Sequence, residues 1–290
     1  MSLPRARSDH GYRSQIPIST HVGTQSLTEV RHVGNQSRCR QRGKGMTMAI
    51  AVSEHTTKAF DADLLDLTRM ISEMGGYAER QLIEAVEALS KCDSAHGERV
   101  VLADARLDAQ QRDIEQKAIE TIATRQPMAV DLREIVGILR IANELERIGD
   151  LAKNIGKRVD ALSGENMPRK ALRGVKHMTD LALHLLRDAL DSFAEKDSKK
   201  AIEVRNRDQE IDSMYTSLFR ELLTYMMEDP GTVAFGIHLL FCAKNIERMG
   251  DHATNIAEAV YYMIEGHAFA NERPKADGTS GMTIGFSTSH

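Results

Sequence analysis

Ala142-Asn-Glu-Leu-Glu146-Arg147-Ile148-Gly149-Asp150-Leu151-Ala152-Lys153-Asn154-Ile155 is answered about a hundred residues later by Ala243-Lys244-Asn-Ile246-Glu247-Arg248-Met249-Gly250-Asp251-His252-Ala253-Thr-Asn255-Ile256. Eight of the fourteen positions are identical. The shared letters are largely polar: Glu, Arg, Gly, Asp and Asn recur, while Leu145 becomes Ile246 and Ile148 becomes Met249. A repeated polar pattern asks for a polar reason beyond packing. The first copy lies within a run of apolar residues, Leu132, Ile135, Val136, Leu139, Ala142, Leu145, Ile148, Ala152, Ile155, Val159 and Leu162, spaced by threes and fours as one face of a helix requires.

Working outward, the periodicity predicts six helices, near 57–91, 95–124, 128–162, 169–195, 198–228 and 231–265. Pro127 and Pro230 stand at the entries to the third and sixth, where a missing N–H costs little. Asp93 and Asp197 precede the second and fifth as N-caps. Asp93, Asp104, Asp108 and Pro127 match Asp197, Asp208, Asp212 and Pro230 at offsets of 104 or 103, and the Glu-Arg motifs match at 101. The expected fold is therefore all-α, a tandem repeat of two antiparallel three-helix bundles. The first repeat spans 55–164 and the second 168–270, divided by Ser163, Gly164 and Pro168.

Composition agrees. The 290 residues are 41% hydrophobic but only 4% aromatic, with 14 Met, six Pro and no Trp, a balance suited to long helices packed through Leu, Ile, Met and Ala. Cys39, Cys92 and Cys242 are three, widely spaced and without a CxxC pair, so neither a disulfide framework nor a thiolate metal site is indicated and a cytoplasmic location fits. No run approaches the roughly 18 apolar residues of a membrane span. Residues 1–45 carry eight Arg or Lys against two acids, a surplus of six in a chain of net charge −4, so the remainder carries −10. An acidic body argues against nucleic acid as the partner. Residues 1–52 lack periodicity and read as disordered or as a spurious extension, and 271–290 as a disordered tail.

The duplicated motifs set carboxylates one helical turn apart, Glu146 with Asp150 and Glu247 with Asp251. Asp104 with Asp108 and Asp208 with Asp212 repeat the spacing on the preceding helices. Asp108 and Asp104 lie 18 and 22 residues before position 126, and Glu146 and Asp150 lie 19 and 23 after Pro127. At about 1.5 Å per residue, antiparallel neighbours bring all four to one level, roughly 27–35 Å from the turn. The second repeat does the same, with 18 and 22 residues before Pro230 and 17 and 21 after it. Four acids in one stratum raise one another's proton affinity unless something positive intervenes. Two readings stay open on the residues alone. Arg147, Arg248, Arg106, Arg112, Arg205 and Arg207 could neutralise the acids as ordinary ion pairs; or hard cations could be held by oxygen ligands, with Asn154 and Asn255 in support. A carboxylate-bridged metalloenzyme of the ferritin type needs a Glu-x-x-His pair that the chain lacks. His184 and His252 are weaker ligand candidates, and no Walker loop, nucleophile elbow or dinucleotide fingerprint is present.

The two Glu-Arg-x-Gly-Asp motifs, with Arg125-Gln-Pro127, Asp131-Leu-Arg133, Met74-Gly-Gly76 and Tyr225-Met-Met-Glu-Asp-Pro230, resemble the PhoU family over about residues 55–270. The resemblance implies a cytoplasmic, non-enzymatic accessory protein of the phosphate-specific ABC transporter and a negative regulator of the phosphate regulon. It implies as partners a PhoR-type sensor histidine kinase and the transporter ATPase subunit PstB, with a homodimer and a peripheral place at the membrane through those partners. It further implies that Asp104, Asp108, Glu146, Asp150, Asp208, Asp212, Glu247 and Asp251 are ligands, through E(D)xxxD motifs, of a multinuclear metal cluster of Fe, Mn, Zn or Mg. The first 45 residues match nothing in the family.

Overall fold

A computed structural model describes residues 43–162, 169–271 and 273; of the extension predicted over 1–52, residues 1–42 lie outside the described residues and 43–52 are helical instead, while the divider at Ser163, Gly164 and Pro168 and nearly all of the predicted tail lie outside the described residues. Six long helices follow in order: α1 (Gly43–Lys91), α2 (Ser94–Arg125), α3 (Val130–Val159), α4 (Arg169–Glu195), α5 (Ser198–Glu228) and α6 (Val233–Glu265). Short 3-10 turns at Asp160–Leu162 and Pro230–Thr232 complete α3 and introduce α6. Among the described residues there is no strand, and no helix is long and apolar enough to cross a membrane. Most helix ends fall where capping and turn residues predict them. The first helix instead starts at Gly43, well before position 57.

The two halves are built on the same turns. Asp93 leaves its backbone extended and accepts the N–H of His96 at 2.9 Å, and Asp197 accepts those of Lys199 and Lys200 at 2.8 and 3.2 Å. Just before each cap one residue is left-handed, Cys92 at φ 51° and Lys196 at φ 52°. That twist lets Asp93 N–H reach back to the Ala88 carbonyl and Asp197 N–H to that of Ser192, satisfying helix-end acceptors. The α5–α6 turn is fixed by Asp229, which accepts the N–H of Gly231 at 2.9 Å while Pro230 opens the 3-10 turn.

Helices α1–α3 form one antiparallel bundle and α4–α6 the other, lying side by side with α3 against α6 and α1 against α4. The order of contacts shows both pairs to be antiparallel. Along α3 and α6, Gly137 meets Met263, Glu144 meets His252, and Arg158 meets Phe241. Between α1 and α4, Gly75 faces Leu190 and Glu79 accepts from Arg187 at 2.7 Å. The halves are thus related by an approximate two-fold axis across the helices. Apolar residues of both bundles, from Leu67 and Leu107 to Leu218 and Met263, belong to one continuous core. Within the first bundle Asp63 clasps the end of α2, bonding Lys117 at 2.6 Å and Arg125 at 3.0 Å; the Lys117 bond leads in holding its carboxyl below the usual range.

Candidate functional site

Burial of the acids follows from the helical period. Asp104 stands on α2 among Val100 and Leu107, and Asp208 on α5 among Val204, Ile211 and Tyr215, so both carboxylates point inward with the core residues. Asp212 and Glu247 are also buried, while Asp108, Glu146, Asp150 and Asp251 are half-buried. Each stratum is closed by a neighbouring small residue. At Gly149 a Cβ would stand 2.5 Å from Leu107 and near Asp104, and at Gly250 it would stand 3.0 Å from Ile211. Glycine in mid-helix, costly in propensity by about 1 kcal/mol, is what allows α2 to approach α3 and α5 to approach α6 at this height.

In the first stratum the ammonium of Lys153 bridges Asp104 and, at 3.0 Å, Asp150. Those bonds, Asp104 first, hold its pKa well above the ordinary lysine range. The amide of Gln81, from α1, reaches Asp104 at 3.5 Å. Burial, then the negative charge of Asp150, push the Glu146 carboxyl up; Arg147, 3.6 Å away, offsets this in part, and Asp108 and Asp104 add to it. The four predicted acids therefore share one electrostatic neighbourhood.

In the second stratum the central cation is Arg273, which grips Asp208 with two bonds of 2.6 and 2.7 Å and reaches Asp251 at 2.6 Å. Thr254 donates to Asp208 at 3.1 Å. Glu247 sets one oxygen against Lys244 at 2.8 Å, while its Oε2 is buried with no hydrogen-bond partner. Burial pushes its carboxyl up; Lys244 opposes this, and Asp251 and Asp212 reinforce it.

Three of the six arginines named from sequence are engaged outside the acid strata, while Arg147 stands by Glu146 as the ion-pair reading expects. Arg106 lies over the Tyr77 ring, Arg207 pairs with Asp188 at 2.7 Å, and Arg205 pairs with Glu258 at 3.0 Å. Lys153, Lys244 and Arg273 stand among the acids instead. Lys153 follows Asp150 by three residues and Lys244 precedes Glu247 by three, so helical spacing could have found both; Arg273 arrives from beyond α6 and carries no such signal. Asn154 is exposed, His184 is exposed, and Asn255 turns to the seam between bundles. There Glu144, which sequence reasoning passed over, accepts from His252 Nδ1 at 2.7 Å and from Asn255 at 3.1 Å. Burial alone would raise the Glu144 carboxyl, but these two bonds, with the charges of His252 and Arg147, hold it below the usual range. Asn255 also accepts from Arg273 at 3.4 Å, joining the second stratum to α3.

With Lys153 and Arg273 at the centres, no three Asp, Glu, His or Cys side chains among the described residues are grouped as a ready-made ion cage. The donor chemistry nonetheless fits a hard cation. The donors are all carboxylate oxygens, one buried oxygen of Glu247 is unpartnered, and two carboxyls are pushed toward protonation by burial first and by neighbouring acids second.

Comparison with known proteins adds the context. The PhoU domain family model matches this chain twice, over residues 71–159 and 175–260. The phosphate-specific transport system accessory protein PhoU homolog of Rhizobium meliloti (strain 1021) is 57% identical over 226 residues, 78% of this chain and 95% of the relative. That of Caulobacter vibrioides (strain NA1000 / CB15N) is 48% identical over 227 residues, 78% and 98% of the two chains. The crystal structure of PhoU from Pseudomonas aeruginosa is similar with a TM-score of 0.68 at 36% identity, covering 72% of this chain and all of that one. The phosphate transport system regulatory protein PhoU from Streptococcus pneumoniae gives the same TM-score at 27% identity, over 73% of this chain and all of that one. A duplicated Glu-Arg-x-Gly-Asp helix, two three-helix bundles and this degree of identity converge: the chain belongs to the PhoU family.

Proposed function

We propose that this protein is a cytoplasmic regulatory adaptor of phosphate uptake. It would restrain the phosphate regulon by linking the phosphate ABC transporter, through its PstB-type ATPase subunit, to a PhoR-type sensor histidine kinase, working as a homodimer and by binding rather than turnover. The observation that supports this most is 57% identity, over 95% of its length, to a relative named as an accessory protein of phosphate-specific transport. An adaptor transmits only through a difference in affinity between its partners' states. The test is affinity capture of the tagged chain from cells grown in high and in low phosphate, together with deletion of its gene. Transporter and kinase subunits are expected in the capture, in amounts that change with phosphate, and deletion is expected to derepress phosphate-uptake genes. Capture without those subunits and an unchanged regulon would end the proposal.

The eight acids are proposed as cation ligands, Asp104, Asp108, Glu146 and Asp150 in one stratum and Asp208, Asp212, Glu247 and Asp251 in the other. A bound cation would supply positive charge where like charges crowd. The unpartnered Glu247 oxygen supports this, and the all-oxygen donor set suits Mn, Mg or Fe better than thiolate-seeking Zn. A second reading has its own support in Lys153 and Arg273, which already bridge acids in both strata. In that reading the strata are structural. Elemental analysis of protein purified without chelator separates the two, since metal that is lost with Asp150→Ala and Asp251→Ala supports the first and metal at background in the wild type supports the second.

A further inference from the structure

A chain leaving the last helix of a bundle has little to hold it, yet here it is laid back along the second bundle. Phe269 stacks on Tyr261 with ring centroids 3.9 Å apart, and the Arg205 guanidinium lies over Phe269 and donates to the Asn271 carbonyl at 2.7 Å. Two residues later Arg273 enters the acid stratum. Besides its three carboxylate bonds it reaches the Asp251 carbonyl at 3.5 Å and Asn255 at 3.4 Å. Its side chain is 13% exposed and that of Asp208 is 1% exposed.

The first repeat meets the same need by other means. Lys153 belongs to α3 itself, less than a turn beyond Asp150, so it can swing away by rotating its own flexible side chain. Arg273 comes from outside any helix, and its two-pronged grip on Asp208 takes up both oxygens of that carboxylate. Those lone pairs, and Asp251 Oδ1, are the ones a hard cation would use. A guanidinium and a metal ion cannot both hold them.

We propose that Arg273 is a built-in counter-ion reserving the second acid stratum, so that divalent-cation occupancy of that stratum and docking of the Arg273 guanidinium between α5 and α6 exclude one another. This rests on the cation-binding reading given above.

The test uses the full chain, Mn2+ alone as probe, and arginine modification by phenylglyoxal read by peptide mass spectrometry, with calorimetric titration of Mn2+ beside it. On addition of Mn2+, labelling of Arg273 is expected to rise about tenfold, within the usual range of coupling between sites, while Arg205 stays protected. Arg273→Gln is expected to tighten Mn2+ binding by a similar factor. Asp208→Asn should abolish the labelling response and Asp104→Asn should preserve it. Mn2+ bound with Arg273 labelling unchanged, and with equal affinity in Arg273→Gln, would reduce Arg273 to an ordinary salt bridge and overturn the proposal alone. No Mn2+ bound by the wild type, Arg273→Gln or Lys153→Gln would overturn the cation reading and this proposal with it.

Discussion

Glu247 and Glu144 are buried or half-buried carboxylates on facing helices, and folding acts on them in opposite senses. Glu247 keeps one buried oxygen without a donor, and its carboxyl is raised above the ordinary value of 4.5 by burial. Its folded form therefore favours the proton. The resulting penalty is absent below pH 4.5 and grows as pH climbs through the raised folded value. Glu247→Gln is accordingly expected to melt higher than the wild type at pH 7 and level with it below that point, as followed by scanning calorimetry. Glu144 is lowered, so its contribution is present above 4.5 and is lost as pH falls through the lower folded value. Glu144→Ala should cost about 2 kcal/mol at pH 7, the scale of hydrogen bonds to a charged group. In urea titrations the loss should fade toward pH 3. The acids themselves were legible in the sequence because a period of four, repeated in register, is a local signal. Their counter-ions were less so. Arg273 meets Asp208 across 65 residues of separation, a contact decided by how the chain returns after α6 and not by helical spacing.

At the level of helices, glycine marks where two backbones touch. A Cβ on Gly97 would meet the Gly156 carbonyl at 2.8 Å, and one on Gly156 would meet the Gly97 carbonyl at 2.9 Å. Backbone cannot swing aside as a leucine tip can. Gly97→Ala is thus expected to destabilise by about 1–3 kcal/mol through overpacking, more than the gain in helix propensity of about 1 kcal/mol offsets. Gly76→Ala has nothing within 4 Å to meet, and by the same propensity it should stabilise by about 0.5–1 kcal/mol. Equilibrium urea unfolding of the two variants tests both signs. Helix ends were readable wherever a side chain makes the turn, as Asp93, Asp197 and Pro230 do. The start of α1 was not, because no Gly or Pro lies between Met46 and Met74 to stop it. The left-handed Cys92 and Lys196 were equally silent, since neither residue type favours that conformation.

Across the whole molecule, α3 and α6 join the two cores into one, and the Glu144, His252 and Asn255 contacts stitch the same seam. Unfolding is therefore expected as a single transition, with circular dichroism and tyrosine fluorescence coinciding. Two separate transitions would show the bundles to be independent. The tandem architecture was legible because matched landmarks recur at nearly constant offsets, whereas the antiparallel set of one bundle on the other was not, since it depends on contacts between repeats that share no local pattern. That set has a consequence. In a symmetric pair of identical subunits every substitution is made twice, but two halves joined in one polypeptide can drift apart. Here Leu151 stands where the other half has His252, and a lysine serves one half where an arginine serves the other. Under the cation binding proposed above, two unequal strata in one molecule would grade its response over two concentration thresholds instead of one.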